Sequence, residues 1–219
     1  HRHLDWRPPL DWVGWDPFLV LEISGKLAAT LSCPAHPPKV AWIRLFGVAN
    51  DYDPHDAWFN LWNPARQSLE GDGNNFTTES VAALPLDSWL RVVLEESGFQ
   101  QVTEVVVLKV NDLDNPGLVP EGIIIRPMRS GDVEAVGILD AAAFEPLWHQ
   151  PGDDLELAFR QSSVSTVAER NGDIVGYQIT TPSHFGGHLA RLAVHPSQHG
   201  RGIGKGLVGE LMKQMRLSG

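Results

Sequence analysis

The sequence predicts an α/β fold with mixed sheets, divided between two domains of one plan. Three observations predict it. Short β-prone runs alternate with stretches of helical apolar spacing along the whole chain. A hairpin pattern around Glu22 recurs 147 positions later around Glu169. Between the copies, Asn111 to Gly117 is rich in turn formers and has no apolar period, which is the composition of a connector.

In the first copy, Phe18 to Ser32 places apolar runs on either side of Ser24-Gly25, a hairpin with a short glycine turn. A strand from Val40 to Val48 follows, then a helix over Ala57 to Leu69, a strand from Phe76 to Ala83, and a helix from Leu86 to Ser97 closed by Gly98. A last strand is expected over Val102 to Val110. The second copy begins afresh with a strand from Gly122 to Arg126. A helix from Asp132 to Phe144 follows, with Asp132 in the N-cap position and Val133, Val136 and Leu139 at helical spacing. After a short helix over Leu155 to Gln161, Ser165 to Ile179 repeats the hairpin, turning on Asn171-Gly172, the strongest two-residue hairpin signal. A strand from His188 to Val194 and a helix from Gly202 to Arg216 complete the chain. The offset of 147 maps Glu22, Gly25 and Ala28 onto Glu169, Gly172 and Val175, and maps Arg44-Leu45 onto Arg191-Leu192 in the next strand. The expected domains are residues 1–113 and 122–219, joined by a linker over 114–121.

Composition narrows the function classes. The chain has 219 residues, is 42% hydrophobic and 20% charged, and so has the apolar mass for real cores. No apolar run approaches the roughly 18 residues that span a bilayer, and His1 to Trp6 lack a signal-peptide layout. The single cysteine, Cys33, excludes an internal disulfide and paired-cysteine zinc, and the histidines lack ligand spacing, so no metal is expected. A cytoplasmic setting follows. The net charge of −10 argues against a nucleic-acid binder, which needs a basic footprint. From Arg191 onward, however, Arg191, Arg201, Lys205, Lys213 and Arg216 face one acid, Glu210, and that local excess suggests a site for a small polyanion.

The chemistry concentrates in Leu192-Ala-Val-His-Pro-Ser-Gln-His-Gly-Arg-Gly-Ile-Gly-Lys-Gly206. A strand ends, His195-Pro196 turns the chain, and Gly200, Gly202 and Gly204 lead into an amphipathic helix. First-turn N–H groups have no acceptor inside their helix, and the helix dipole adds about half a positive charge there. Glycine lets phosphates approach the backbone closely, and Arg201 and Lys205 add charge at the rim. The triphosphate motif fails because Gly206 stands where Ser or Thr must follow Lys205; the dinucleotide motif fails because the glycines are spaced by two.

These residues resemble the acyl-CoA motif of the GCN5-related N-acetyltransferase (GNAT) superfamily, in which Gln or Arg, two residues, Gly, one residue and Gly or Ala follow a strand ending Ala-Val-x-Pro. Ile125-Arg-Pro-Met and Asp132 resemble the family's first strand and helix start. The resemblance covers residues 122–219 and departs at His199, which stands in the Gln/Arg position. It implies acetyl-CoA as cosubstrate, held by Leu192, Ala193, Val194, His199, Gly200, Arg201, Gly202, Ile203, Gly204 and Lys205. It also implies direct attack by a primary amine of a small molecule or peptide, once a base has removed its proton. Backbone groups near Leu192 and Val194 would pair with the pantetheine arm, and an N–H there would polarise the thioester carbonyl.

The family's base is often Glu or His on the motif strand. Four residues before Val194 stands Ala190, which cannot act, so His188, on the same face by strand alternation, is the candidate catalytic residue. The competing reading is a hydrogen-bonded histidine at a strand edge. Glu169 is the alternative base, although Glu22 occupies the same place in the other copy and a shared hairpin role accounts for both. His195 reads as structural and His184 as solvated.

The resemblance also implies a tandem protein whose first domain lacks its N-terminal elements and whose second lacks its C-terminal strand, helix and strand, the latter carrying the family's acid tyrosine. Tandem members include mycothiol synthases and small-molecule acetyltransferases. The first copy reads as degenerate: Asn50 to Ala57 holds three acids (Asp51, Asp53 and Asp56) and no glycine where the cradle belongs. Trp58 and Trp62, on one helix face, either pack the core or plug a vacated groove. The function expected is N-acetyl transfer. The rival is a non-catalytic acyl-CoA sensor or interaction module. An open edge on the motif strand would favour homo-oligomers.

Overall fold

The computed structural model describes residues 6–37, 39–70, 78–110, 117–183 and 186–218. His1, His3, the start of the strand expected at Phe76, the connector stretch 111–116 and His184 lie outside the described residues. The chain divides into two compact units, one from Arg7 to Val107 and one from Leu108 onward that also takes Trp6. The division thus falls six residues before the sequence-based domain end at residue 113.

In the first unit, β1 (Phe18–Ile23) and β2 (Lys26–Ser32) form the hairpin. Ser24 and Gly25 turn it at φ of 53° and 75°, the left-handed region that a tight turn of this hand requires. The strand expected from Val40 to Val48 is two strands: β3 (Val40–Trp42) pairs parallel with β5 (Ser80–Ala82), and β4 (Leu45–Val48) pairs antiparallel with β2. Successive amides of an extended chain point to opposite sides, and here the switch is between neighbours. Ile43 N–H donates to Ala82 C=O (2.9 Å) and Arg44 N–H to Ser32 C=O (2.8 Å). The segment therefore leaves one sheet neighbour as it joins the other.

Helix α1 (Pro54–Glu70) starts on Asp53, whose carboxylate accepts the Asp56 N–H at 3.0 Å. Helix α2 (Ser88–Glu96) stops at Gly98, φ +89°. Trp58 and Trp62 are buried and stacked 5.2 Å apart, with Phe46 edge-on to Trp58 and Phe99 against Trp62. Trp58 donates its indole N–H to Ser97 Oγ at 2.7 Å, so the pair packs the core of its own unit. The strand expected over Val102–Val110 does not form. The segment is extended in composition only, with Val102, Val106, Val107 and Leu108 largely exposed. A β-prone run becomes a strand when a neighbour accepts its backbone groups, and among the described residues none does.

In the second unit, β6 (Ile124–Pro127), β7 (Val164–Arg170), β8 (Asp173–Ser183) and β9 (Gly186–Val194) form an antiparallel sheet in chain order. Helices α3 (Val133–Ala143) and α4 (Gly152–Gln161) cover one face, where Val136, Leu139, Leu155, Val167, Tyr177 and Ile179 are buried. Helix α5 (Ile203–Ser218) covers the other through Ile203 and Leu207 against Ala168 and Val175. Trp6 belongs to the α3 side, its carbonyl accepting from Gln161 Nε2 at 3.0 Å. Asp132 stands at the N-cap position of α3 as expected, but its carboxylate makes no cap bond to that helix: it accepts the Arg129 N–H (2.7 Å) and both ends of the Arg126 guanidinium (2.7 and 2.9 Å).

The repeat survives in the pairing itself. Both hairpins carry a bulge at the equivalent step, between Leu21 and Glu22 and between Ala168 and Glu169. Beyond the hairpin the offset changes. Ser32 pairs with Leu45, and its equivalent Ile179 pairs with Arg191, so Leu45, not Arg44, is the positional counterpart of Arg191. The Arg44–Arg191 match in the sequence is one residue out of register.

The end of the connector is docked within the second unit. Gly117 lies on α5 at Gly209, where an added Cβ would come within 2.4 Å of the Gly117 carbonyl oxygen. A Cβ added at Gly206 or at Gly202 would lie 3.3 or 3.6 Å from the Pro120 ring.

Candidate functional site

An open cleft of about 320 Å³ lies where β9 ends and α5 begins. Leu192, Ala193 and Val194 line it from the strand, His199, Gly200, Gly202, Ile203 and Gly204 from the loop and helix start, and Ala143 and Phe144 from the end of α3. Arg201 and Lys205 are exposed and not part of the lining. Nothing in composition pointed to Ala143, Phe144 and Gln198, which the fold adds.

The loop is shaped by its own hydrogen bonds. Pro196–Gln198 makes a 3-10 turn capped by His195, whose Nδ1 accepts the Ser197 N–H at 3.3 Å. Gln198 accepts a hydrogen bond from Arg170 Nη1 on β7 through its side-chain oxygen (2.8 Å), so it braces the loop. Gly200 and Gly202 then take φ of +74° and +79°, turning the backbone back on itself. Gly206 N–H to Gly202 C=O, at 2.9 Å, is the opening rung of α5. The amides of Ile203, Gly204 and Lys205 precede any intrahelical acceptor and stand at the positive end of the helix dipole. At Gly204 an added Cβ would lie 3.7 Å from Val194 and 3.8 Å from Leu192, so the backbone itself forms the cleft floor.

The strand wall has an open edge. His195 N–H donates to Val175 C=O of β8 (2.9 Å). By alternation Ala193 also faces β8, and the backbone groups of Leu192 and Val194 point away from it. His199 Nε2 occupies the Val194 carbonyl at 2.7 Å. The Leu192 groups and the Val194 N–H are left along the cleft, and among the described residues β8 is the sole strand beside β9.

The two candidate bases are placed differently. His188 pairs with Thr181, toward the start of β9 and apart from the cleft lining. A bulge between Ile179 and Thr180 leaves Ala190 extra on β9, and Ala190 packs into the α3-side core. Glu169 is held by Arg126, with Oε1 at 2.6 Å from Nη2 and 2.9 Å from Nε, and Arg126 also binds Asp132. That arrangement makes Glu169 a member of an ion-pair triad tying β6 to β7. Hydrogen bonds from Arg126 hold the Asp132 carboxyl below its ordinary range.

Arg191 is a correction. Instead of adding to a surface for polyanions, it is buried on the α3 side, with Nε and Nη2 reaching the two Asp140 oxygens at 2.6 and 2.8 Å. Its Nη2 also donates to Trp148 C=O (2.6 Å), and its guanidinium lies 3.8 Å over the Phe144 ring. The Tyr177 hydroxyl donates to Asp140 Oδ1. Burial pushes Tyr177 well above the usual phenol range, and bonds to Asp140 keep Arg191 protonated. The sequence did hold a signal: an acid among the apolar residues of Leu139 to Phe144 and an arginine inside an apolar strand each need a buried partner.

The acetyltransferase (GNAT) family model matches residues 133–219. No curated protein matches the chain. Among solved structures, a GCN5-related N-acetyltransferase from Sphaerobacter thermophilus is 18% identical over 96% of this chain and 72% of its own, with a TM-score of 0.65. A tandem GNAT protein from the clavulanic acid biosynthesis pathway is 15% identical over 90% of this chain and 70% of its own, TM-score 0.56. At these identities the likeness establishes the fold, and it runs across both units. The ribosomal-protein-S18-alanine N-acetyltransferase from Escherichia coli is 18% identical, with a TM-score of 0.41, over 44% of this chain. The match spans 61% of that protein's length. The cleft and its glycine loop lie inside the segment that the family model matches, and no helix among the described residues is long and apolar enough to cross a membrane.

Proposed function

We propose that the chain is an acyl-CoA-dependent N-acyltransferase that moves an acetyl group from acetyl-CoA to a primary amine of a small molecule or peptide. One observation carries the reading: the cleft of the second unit is floored by the start of α5 and walled by the open edge of β9. The residues fit a pyrophosphate followed by a pantetheine arm. First-turn amides and two glycines at positive φ suit the phosphates, and the outward-facing Leu192 backbone groups and Val194 N–H suit an amide-bearing arm.

The thioester supplies an acyl group already activated for attack. The chain's own residues bind and orient it: amides of Ile203, Gly204 and Lys205 take phosphate charge, and Leu192 pairs with the arm. The Val194 N–H is the donor closest to the loop on the open edge. Attack by the amine is direct, and His188 takes the amine's proton, alone or through a water. Glu169 is the lesser candidate because its carboxylate is committed to Arg126. Within the first unit, Asp53 caps α1 with its own carboxylate where a phosphate would need an amide, so that unit serves as a non-catalytic partner domain.

The test is thiol release from acetyl-CoA across a panel of amines, beside calorimetry with CoA. Binding with amine-dependent release supports the enzyme. Binding without release by any amine supports the acyl-CoA sensor instead, and no binding overturns both.

A further inference from the structure

A buried polar network lies directly under the cleft wall. Asp140 is fully buried near the end of α3, Tyr177 is fully buried on β8, and Arg191 is almost so on β9. Six hydrogen bonds converge on the Asp140 carboxylate and the Arg191 guanidinium, one of them from Arg191 Nε to Tyr177 OH at 3.2 Å. Arg191 holds both Asp140 oxygens, Tyr177 OH donates to one of them, Gln150 N–H donates to the other at 3.2 Å, and Arg191 reaches the Trp148 carbonyl.

Its position is what separates this network from an ordinary core ion pair. Arg191 immediately follows Ala190, the extra residue of the β9 bulge, and immediately precedes Leu192, which lines the cleft. The bulge breaks alternation, so Ala190 and Arg191 both face α3 and the chain re-enters the ladder with the Leu192 backbone turned outward. At its other end the guanidinium covers Phe144, a residue of the opposite cleft wall. The 145–150 segment is tied to the same centre through Trp148 and Gln150. One cluster therefore fixes both walls of the cleft and the bulge between them.

We infer that Asp140, Arg191 and Tyr177 form a positioning network that sets the separation of the Leu192–Val194 edge from the Phe144 wall, and so the placement of the acyl group for attack. The inference rests on the acyltransfer reading. It goes beyond it by assigning rate control to residues that touch neither cosubstrate nor amine. A buried ion pair is a costly way to fill space, since apolar residues of like volume pack as well or better. Its geometric fork, in contrast, fixes direction and distance at once.

The experiment compares the full chain with Tyr177→Phe and with the triple replacement Asp140→Leu, Arg191→Met, Tyr177→Phe, which removes every charge and leaves none unpaired. CoA affinity by calorimetry, thermal unfolding, and kcat and KM for acetyl-CoA and amine are read for each. The expected triple variant is folded, binds CoA within about threefold of the parent, and loses at least tenfold in kcat. Tyr177→Phe should lose severalfold in kcat with an unaltered pH profile, because neither Tyr177 nor Arg191 titrates near neutrality. A folded triple variant with parental kcat overturns the inference. An unfolded triple with fully active Tyr177→Phe overturns it as well. Parental protein that binds no CoA fails the acyltransfer reading instead, and the two failures are thereby distinguished.

Discussion

His199 and Val194 close the glycine loop on itself: the imidazole Nε2 stands 2.7 Å from the strand-end carbonyl five residues earlier. A carbonyl only accepts, so Nε2 carries a hydrogen and the ring is fixed as part of the loop's frame. Where the family commonly has Gln or Arg, this chain uses a side chain that ties the loop to the strand.

Removing that tie should loosen the cradle without unfolding the unit. His199→Ala is expected to weaken CoA binding by about fivefold, the size of one hydrogen bond of about 1 kcal/mol. Thermal unfolding should move little, since the residue is exposed. Calorimetry and a melting curve on the same sample check both halves.

A negative charge on the cleft floor should act more strongly. Gly204→Asp meets only ordinary contacts at its Cβ, 3.7 Å from Val194, so the fold accommodates it. The carboxylate then opposes the pyrophosphate, and CoA affinity should fall more than tenfold, over about 1.4 kcal/mol. Gly202→Asp should be at least as severe because φ there is +79°, which adds backbone strain. Lys213→Ala, exposed along α5 and facing Glu210 at 3.7 Å, should leave affinity within twofold.

The whole chain should bind one CoA. Calorimetric stoichiometry near one, abolished by Gly204→Asp, is the expected result; a second site surviving that substitution would place CoA in the first unit and refute its assignment as a partner domain.

Gly209 is predicted to be intolerant for a steric reason unrelated to the cleft. A methyl group there would sit 2.4 Å from the Gly117 oxygen and 2.5 Å from its nitrogen, both backbone atoms that cannot rotate aside. Gly209→Ala should cost about 1–3 kcal/mol in chemical denaturation, in spite of alanine's better helix propensity.

Acid should weaken the β6–β7 corner. The Asp132 carboxyl is depressed below its ordinary range, chiefly by hydrogen bonding to Arg126. Its contribution is present above the unfolded carboxylate range and is lost as pH falls through the lower, folded value. Asp132→Asn should therefore be less stable than the parent at neutral pH and nearly equal to it in strong acid. Denaturation series from pH 3 to 7 measure the convergence.

Much of this is legible in the amino-acid sequence. The Asn171-Gly172 and Ser24-Gly25 turns fix their hairpins because few residues accept positive φ, and glycines at a strand–helix junction admit few uses. What sequence could not decide was pairing. Val40–Val48 reads as one strand, yet its halves bond different neighbours. Val102–Val110 is as β-prone as any segment and finds no partner among the described residues. Arg191 reads as one more surface cation until Asp140, 51 residues away, is brought beneath it. Each miss concerns a long-range partner, which local propensity does not encode.

The hairpin bulges shared at Glu22 and Glu169 decide how the two units are to be superposed. The irregularity falls at the same step of both hairpins, whereas the offset between equivalent ladder positions drops from 147 to 146 at the following strand. Matching the halves letter by letter past residue 32 therefore sets side chains of opposite sheet faces against each other; matching by ladder position restores the faces, with Leu45 against Arg191.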